Sequence, residues 1–227
     1  MSFTVDCTQP WLTARFGGPR RCLSWAPYNP GFVTATRVVW REVRNADLTP
    51  TVDPLALLRD GLSSIGALDA VGLMTSRDIR RHFLGRAEVG GVTATCLATV
   101  GLGNGEVVGR RRQARPEGFG TINLLVHVDA GLTDAGLLET LSIATEARTV
   151  AVVEAGYRPG GVGAVTGTGT DCVVAACPPG GRIAYAGLHT AVGEAIGAAV
   201  LAAVRPGAAD WMAENSLLDK SAAGALS

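Results

Sequence analysis

The spacing of apolar and polar residues changes period several times along the chain. Residues 33–43, VTATRVVWREV, set β-branched residues in partial alternation and predict a strand. DLTPTVDP then supplies turn chemistry, and Leu55 to Leu62 predict a short helix with Asp53 as N-cap and Pro54 at its first position. AVGLMTS (70–76) and VTATCLATVGL (92–102) predict two more strands, with SRDIRRHFLG between them as a polar or helical connector. TINLLVHV (121–128) is apolar enough to be a central strand. From Thr133, the spacing of Leu137, Leu138, Leu141, Ala144, Ala147, Val150 and Ala151 predicts an amphipathic helix that ends near Gly156. A strand follows over 172–177, and PPGG turns it into RIAYAG (182–187) as a hairpin partner. A last helix, lined with Ala and Gly, runs from about His189 to Val204. Arg205-Pro206-Gly207 then gives way to a small polar tail holding Trp211 and Met212.

Strands in neighbouring pairs with interspersed helices favour an α+β domain over regular βαβ winding. The expected fold is a layered sandwich of a mixed or antiparallel β-sheet packed with two long helices. It forms one domain over 1–205, with a C-terminal extension over 206–227. Hydrophobic residues make up 47% of the chain but aromatics only 5%, so the core must be built from Ala, Val, Leu and Ile. Thirty glycines add close backbone packing and tight turns.

Charge and cysteine usage narrow the function classes. Zero formal net charge removes the usual electrostatic argument for nucleic acid or an acidic membrane surface. The one basic run, RRRQAR (110–115), reads as solvated loop or as a contact for an anionic ligand group, within a long loop (103–120) of lid-like composition. Five cysteines without a CxxC pair point to small buried hydrophobes, and Cys172 and Cys177 fall on opposite faces of their strand. Lys220 is the sole lysine and follows no glycine-rich loop, which excludes a Walker A loop and argues against a Schiff base. The N-terminus lacks a signal-peptide pattern, and no run reaches the ~18 uncharged apolar residues of a membrane span. The expectation is a cytoplasmic protein with a small-molecule substrate, no nucleic-acid or membrane partner and a possible homo-oligomeric state.

Four segments place polar residues where propensity alone would not. In GTIN (120–123), Asn123 opens a strand, and its amide either satisfies neighbouring backbone or serves as a fixed donor to an oxyanion. In ATEART (144–149), Glu146 is either a solvated helix carboxylate or a partly buried acid or base. GAVTGTGTD (163–171) does not match GxGxxG and no helix follows it, so a dinucleotide site is not indicated. Its Thr168 and Thr170 carry hydroxyls, and Asp171 can orient a base or bind a cation. In GLHTAVGE (187–194), His189 lies at a helix start, where the dipole depresses a histidine pKa, with Thr190 as a cap candidate and Glu194 five residues on. His127 reads as a satisfied core histidine and His82 as exposed. No HExxH or similar spacing supports a metal site.

GLMTS (72–76), GLGN (101–104), GTINLL (120–125), ATEART (144–149), GTGTD (167–171) and YAGLHTAVGEAIG (185–197) stand in the order seen in adenosylcobinamide amidohydrolases, which this chain resembles over roughly 24–204. The resemblance implies hydrolysis of the amide joining aminopropanol to the corrin ring, giving adenosylcobyric acid for cobalamin salvage. It implies no cofactor other than the cobalt-containing corrinoid substrate. Substrate contacts are expected from Thr75, Asn104, Gly167, Gly169, Thr145, Thr190 and Glu194. Departures are Ser76-Arg77, where relatives carry small residues, an incomplete glycine-rich pattern in SWAPYNPGF, and the tail beyond Arg205. Amide hydrolysis needs a nucleophile, an oxyanion stabiliser and an acid. One route is water attack, with His189 or Glu146 as base, Asn123 and loop amides at the oxyanion, and Asp171 orienting the base. The rival route uses Thr168 or Thr170 as a covalent nucleophile. The alternative function is a non-catalytic corrinoid-binding protein on the same fold.

Overall fold

The computed structural model describes residues 2–110, 120–159 and 163–224. The elements run β1 (Phe3–Thr8), β2 (Trp11–Ser24), β3 (Gly31–Glu42), α1 (Pro54–Ser64), β4 (Val71–Thr75), β5 (His82–Val89) and β6 (Val92–Val100). After them come β7 (Gly105–Glu106), β8 (Ile122–Val128), α2 (Asp134–Ala155), β9 (Gly167–Thr168), β10 (Cys172–Cys177) and α3 (Ala191–Gly224). One mixed sheet has the order β4-β3-β2-β10-β8-β6-β5, with β1 paired to β2 off this path, while β7 and β9 form a separate pair. This is the layered, single-domain α+β architecture, with α2 and α3 packed together as the helical layer.

β8 is central and buried along its whole length. Its even positions, Ile122, Leu124, Val126 and Val128, enter the core shared with α2 and α3, whereas Leu125 enters a second core on the other face. β10 alternates in the same way, so Cys172 and Cys177 lie in different cores. The second core, built on Leu12, Phe16, Trp40, Leu73, Leu97 and Leu125, exists because the sheet coils over on itself. The register of β2 against β3 shifts between Arg15 and Arg20, across Gly17-Gly18-Pro19, where a strand bends most easily. β4 thereby comes back onto β8: Asn123 Nδ2 donates to the Met74 carbonyl at 2.7 Å, although β3, β2 and β10 lie between these strands in the sheet.

The expected helix ends hold, each by capping. Asp53 accepts from Leu55 N ahead of α1, Thr133 accepts from Gly136 N ahead of α2, and Gly156 closes α2 in the left-handed conformation. Three element assignments differ. The last four residues of the expected connector, 82–85, instead open an edge strand that runs from His82 to Val89, turned into β6 by Gly90-Gly91, both at positive φ. RIAYAG is not a strand. Both edges of β10 are already taken, by β2 and β8, so no hairpin partner fits, and Ile183 makes only an isolated bridge to Leu132. The last helix does not stop at Arg205. It continues through Pro206 because the next turns are packed: Ala208 and Trp211 are buried, and the Trp211 ring meets Tyr157 edge-on at 4.9 Å. Gly85 of β5 lets α3 approach, since a Cβ there would lie 2.1 Å from the Ala199 carbonyl oxygen. Residues 191–216 are long and apolar enough to cross a bilayer, but 56% of their apolar window is buried inside the protein, as in a core helix. Most of the RRRQAR run lies outside the described residues.

Candidate active site

β8 and β10 run parallel, with Cys172 opposite Asn123, so the GTGTD loop entering β10 lies beside the GTIN segment entering β8. The coiled sheet brings the end of β4 to the same place, and the segment after β6 joins them. Gly101 N donates to the Thr121 carbonyl at 3.0 Å, and Gly169 N to the Asn104 carbonyl at 3.2 Å. Between these pieces opens a cleft of about 940 Å³. Its polar lining comprises Thr75, Ser76, Asn104, Thr121, Asn123, Thr170 and Asp171, and Trp25, Pro27, Leu48 and Leu55 stand among the apolar residues of its wall.

Asp171 organises this end of the molecule. Its carboxylate accepts from Ile122 N at 3.0 Å, from Thr168 N at 3.0 Å, from the Thr168 hydroxyl and from the Arg148 guanidinium. Both members of the ion pair are nearly buried. Four donors on two oxygens fill the lone pairs a base would need, so the group fixes loop geometry rather than taking a proton. A Cβ at Gly167 would lie 2.0 Å from the Arg148 guanidinium and would displace one member of the ion pair. Thr168 therefore faces the ion pair beneath the loop, whereas Thr170 lines the cleft and donates to the Gly120 carbonyl at 3.3 Å.

Sequence reasoning missed Arg148. It stands four residues after Ala144 and three before Ala151, inside the apolar stripe of α2, and a lone arginine on a buried face was the available signal. Glu146, two residues earlier, lies about 200° around the helix. It is exposed and accepts from Ser142 Oγ at 3.1 Å. Thr145 returns its hydroxyl to the Leu141 carbonyl at 2.7 Å. Neither residue lines the cleft.

Within the cleft the amides divide. Asn123 is buried, and its Nδ2 gives one of its two hydrogens to the Met74 carbonyl. The Thr121 hydroxyl, 2.8 Å from the Thr170 carbonyl, also lies 3.4 Å from Asn123 Oδ1. Asn104 is half-buried, and a Cβ added to Gly169 would be 3.3 Å from its Nδ2. Its carboxamide has no hydrogen-bond partner among the described residues. Thr75 Oγ1 accepts from Arg77 N at 3.0 Å, and Arg77 itself turns away to Asp210 and Glu214 of α3. Burial pushes the Cys172 thiol up to about 12, so it is not a nucleophile at neutral pH. Among the described residues no group of three His, Cys, Asp or Glu side chains converges as a metal site would.

GLHTAVGE does not reach this cleft. The approach to α3 is tied to the far end of β8, through the Ile183–Leu132 bridge and the Ala186 amide, which donates to Glu139 in the second turn of α2. Thr190 caps α3, accepting from Gly193 N at 3.0 Å, while His189 and Glu194 are exposed. His127 is buried at that end on the same sheet face as Asn123. Its Nε2 accepts from Arg20 Nε at 3.1 Å, but Nδ1 has no partner, so it is only half satisfied. His82 is half-buried, its Nδ1 2.7 Å from the Ile79 carbonyl, rather than exposed.

The chain is 36% identical over 115 residues to the adenosylcobinamide amidohydrolase of Halobacterium salinarum, covering 48% of this chain and 47% of that protein. It is 37% identical over 86 residues to the uncharacterized protein MJ1613 of Methanocaldococcus jannaschii, covering 37% and 34% of the two chains. The aligned part thus spans about half and a third of these relatives. Among solved structures, the PH0078 protein of Pyrococcus horikoshii aligns over 87% of this chain and 76% of its own, at 13% identity and a TM-score of 0.41. A family model described as adenosylcobinamide amidohydrolase matches residues 1–216. Matched over nearly its full length, the chain belongs to the adenosylcobinamide amidohydrolase family.

Proposed function

We propose that the protein hydrolyses the amide linking aminopropanol to the corrin ring of adenosylcobinamide, consuming one water and releasing adenosylcobyric acid and the free amine for cobalamin salvage. The observation that carries this reading is convergence. GLMTS, GLGN, GTINLL and GTGTD are scattered over a hundred residues, yet each lends residues to the lining of one cleft, and ATEART supports it through Arg148. The cleft offers neutral hydroxyls and amides, the groups that hold an amide and its tetrahedral intermediate. We assign Asn104 Nδ2 as the oxyanion donor in preference to Asn123, which is almost fully buried and tied to the Met74 carbonyl, whereas Asn104 is half-buried at the cleft. Thr170 is the loop hydroxyl available at the cleft, whereas Thr168 serves Asp171.

Incubation of the protein with adenosylcobinamide, followed by chromatography, should yield adenosylcobyric acid and aminopropanol. Binding without product would instead identify a corrinoid-binding protein. Intact-mass measurement during turnover of a slow substrate separates the two nucleophiles. Attack by Thr170 leaves an acyl adduct on the protein, and attack by water leaves none.

A further inference from the structure

Trp25 stands immediately after β2, 47% exposed at the cleft, yet it is not loose: its indole N–H donates to the Asp171 carbonyl at 2.7 Å. The ring is thereby locked to the same loop residue whose carboxylate holds Arg148, Thr168 and Ile122. The cleft lining also divides along the chain. The residues up to Met74 (Trp25, Pro27, Val43, Leu48, Pro54 and Leu55 among them) are apolar, and every polar side chain comes from Thr75 onward. Leu55, in the first turn of α1, is 55% exposed. A large aromatic face held rigid and left open beside a polar strip suits a ligand with a broad apolar body and amides at its edge.

We infer that Trp25 is a specificity-determining residue, the platform against which one face of the corrin macrocycle packs, so that a side-chain amide hangs over Asn104 and Thr170. This rests on the corrinoid reading above. Because the platform is bonded to the loop itself, the body of the ligand and its reacting amide are set in register by one contact. The indole N–H is consumed in that contact and adds nothing to ligand hydrogen bonding.

The test is steady-state turnover of adenosylcobinamide, together with calorimetric binding of cobinamide, by the wild type, Trp25→Ala and Trp25→Phe. Tyr185→Ala, an exposed aromatic away from the cleft, is the control, and thermal melting checks folding. Loss of the packed indole should raise KM and the cobinamide Kd of Trp25→Ala roughly tenfold, a larger change than any fall in kcat. Trp25→Phe, which keeps a face but loses the tether, should fall between it and the wild type. A Kd for Trp25→Ala within twofold of wild type, or a loss confined to kcat, overturns the inference. If the wild type binds cobinamide without hydrolysing it and Trp25→Ala weakens that binding, the platform stands and the hydrolase reading falls. If the wild type hydrolyses and Trp25→Ala leaves KM unchanged, the reverse holds.

Discussion

The two ends of the central strands carry similar chemistry in sequence and different chemistry in space. At one end GTIN, GLGN, GLMTS and GTGTD line a cleft whose Asp171 is held from beneath by Arg148, and at the other GLHTAVGE offers a histidine, a threonine and a glutamate. At the first end polar atoms are buried and bonded across elements far apart in the chain. Within GLHTAVGE, Thr190 bonds to residues three away, and His189 and Glu194 face solvent. A polar cluster at a helix start is explained by capping alone. Polar groups drawn together from four separate segments need another reason, and a ligand site supplies it.

The comparison can be broken most sharply at the ion pair. Arg148→Met should destabilise the protein by about 3–5 kcal/mol in urea titrations, because Asp171 would remain buried without its partner. Adding Asp171→Asn should recover part of that loss; a double variant no better than the single would show that packing, not charge, dominates. Next in size, Asn104→Ala should lower kcat by on the order of 10²-fold as the loss of an oxyanion donor, while His189→Ala stays within about twofold of wild type. A His189→Ala loss as large as that of Asn104→Ala would return the far end to the chemistry.

His127 gives the smallest effect per step. Burial, and then the Arg20 charge, push its pKa down to about 4. An unfolded histidine titrates near 6.5, so the unfolded chain takes up the proton first as pH falls. The neutral ring's contribution is therefore complete above about pH 6.5 and is lost progressively down to about 4. The slope is on the order of 1 kcal/mol per pH unit in unfolding midpoints converted to free energy. His127→Gln should flatten that slope and leave turnover at neutral pH unchanged.

Much of the fold was legible in the sequence because its signals are local. Asp53-Pro54, Thr133 and Gly156 marked helix ends through capping chemistry that involves only neighbouring residues. The strand 172–177 stood out as a short apolar run between turn residues. The failures were not local. RIAYAG has strand composition, but β10 had no free edge to receive it. Pro206 reads as a stop, but Trp211 and the Arg77 pairs hold the next turns in place.

The candidate site divides in the same way. The segments were visible as polar or glycine-rich interruptions, and Asn123, Thr170, Asp171, Thr75, Asn104 and Gly169 do meet at one cleft. The sequence by itself determined the helix caps, the buried central strand and the membership of these segments in a recognisable order. Each follows from chemistry within a few residues or from the motifs themselves. Only the tertiary structure decided that Arg148 belongs with Asp171 and that His189 and Glu146 stand apart. Helical phase and the coiling of the sheet, not proximity in the chain, set which side chains share a dry interior.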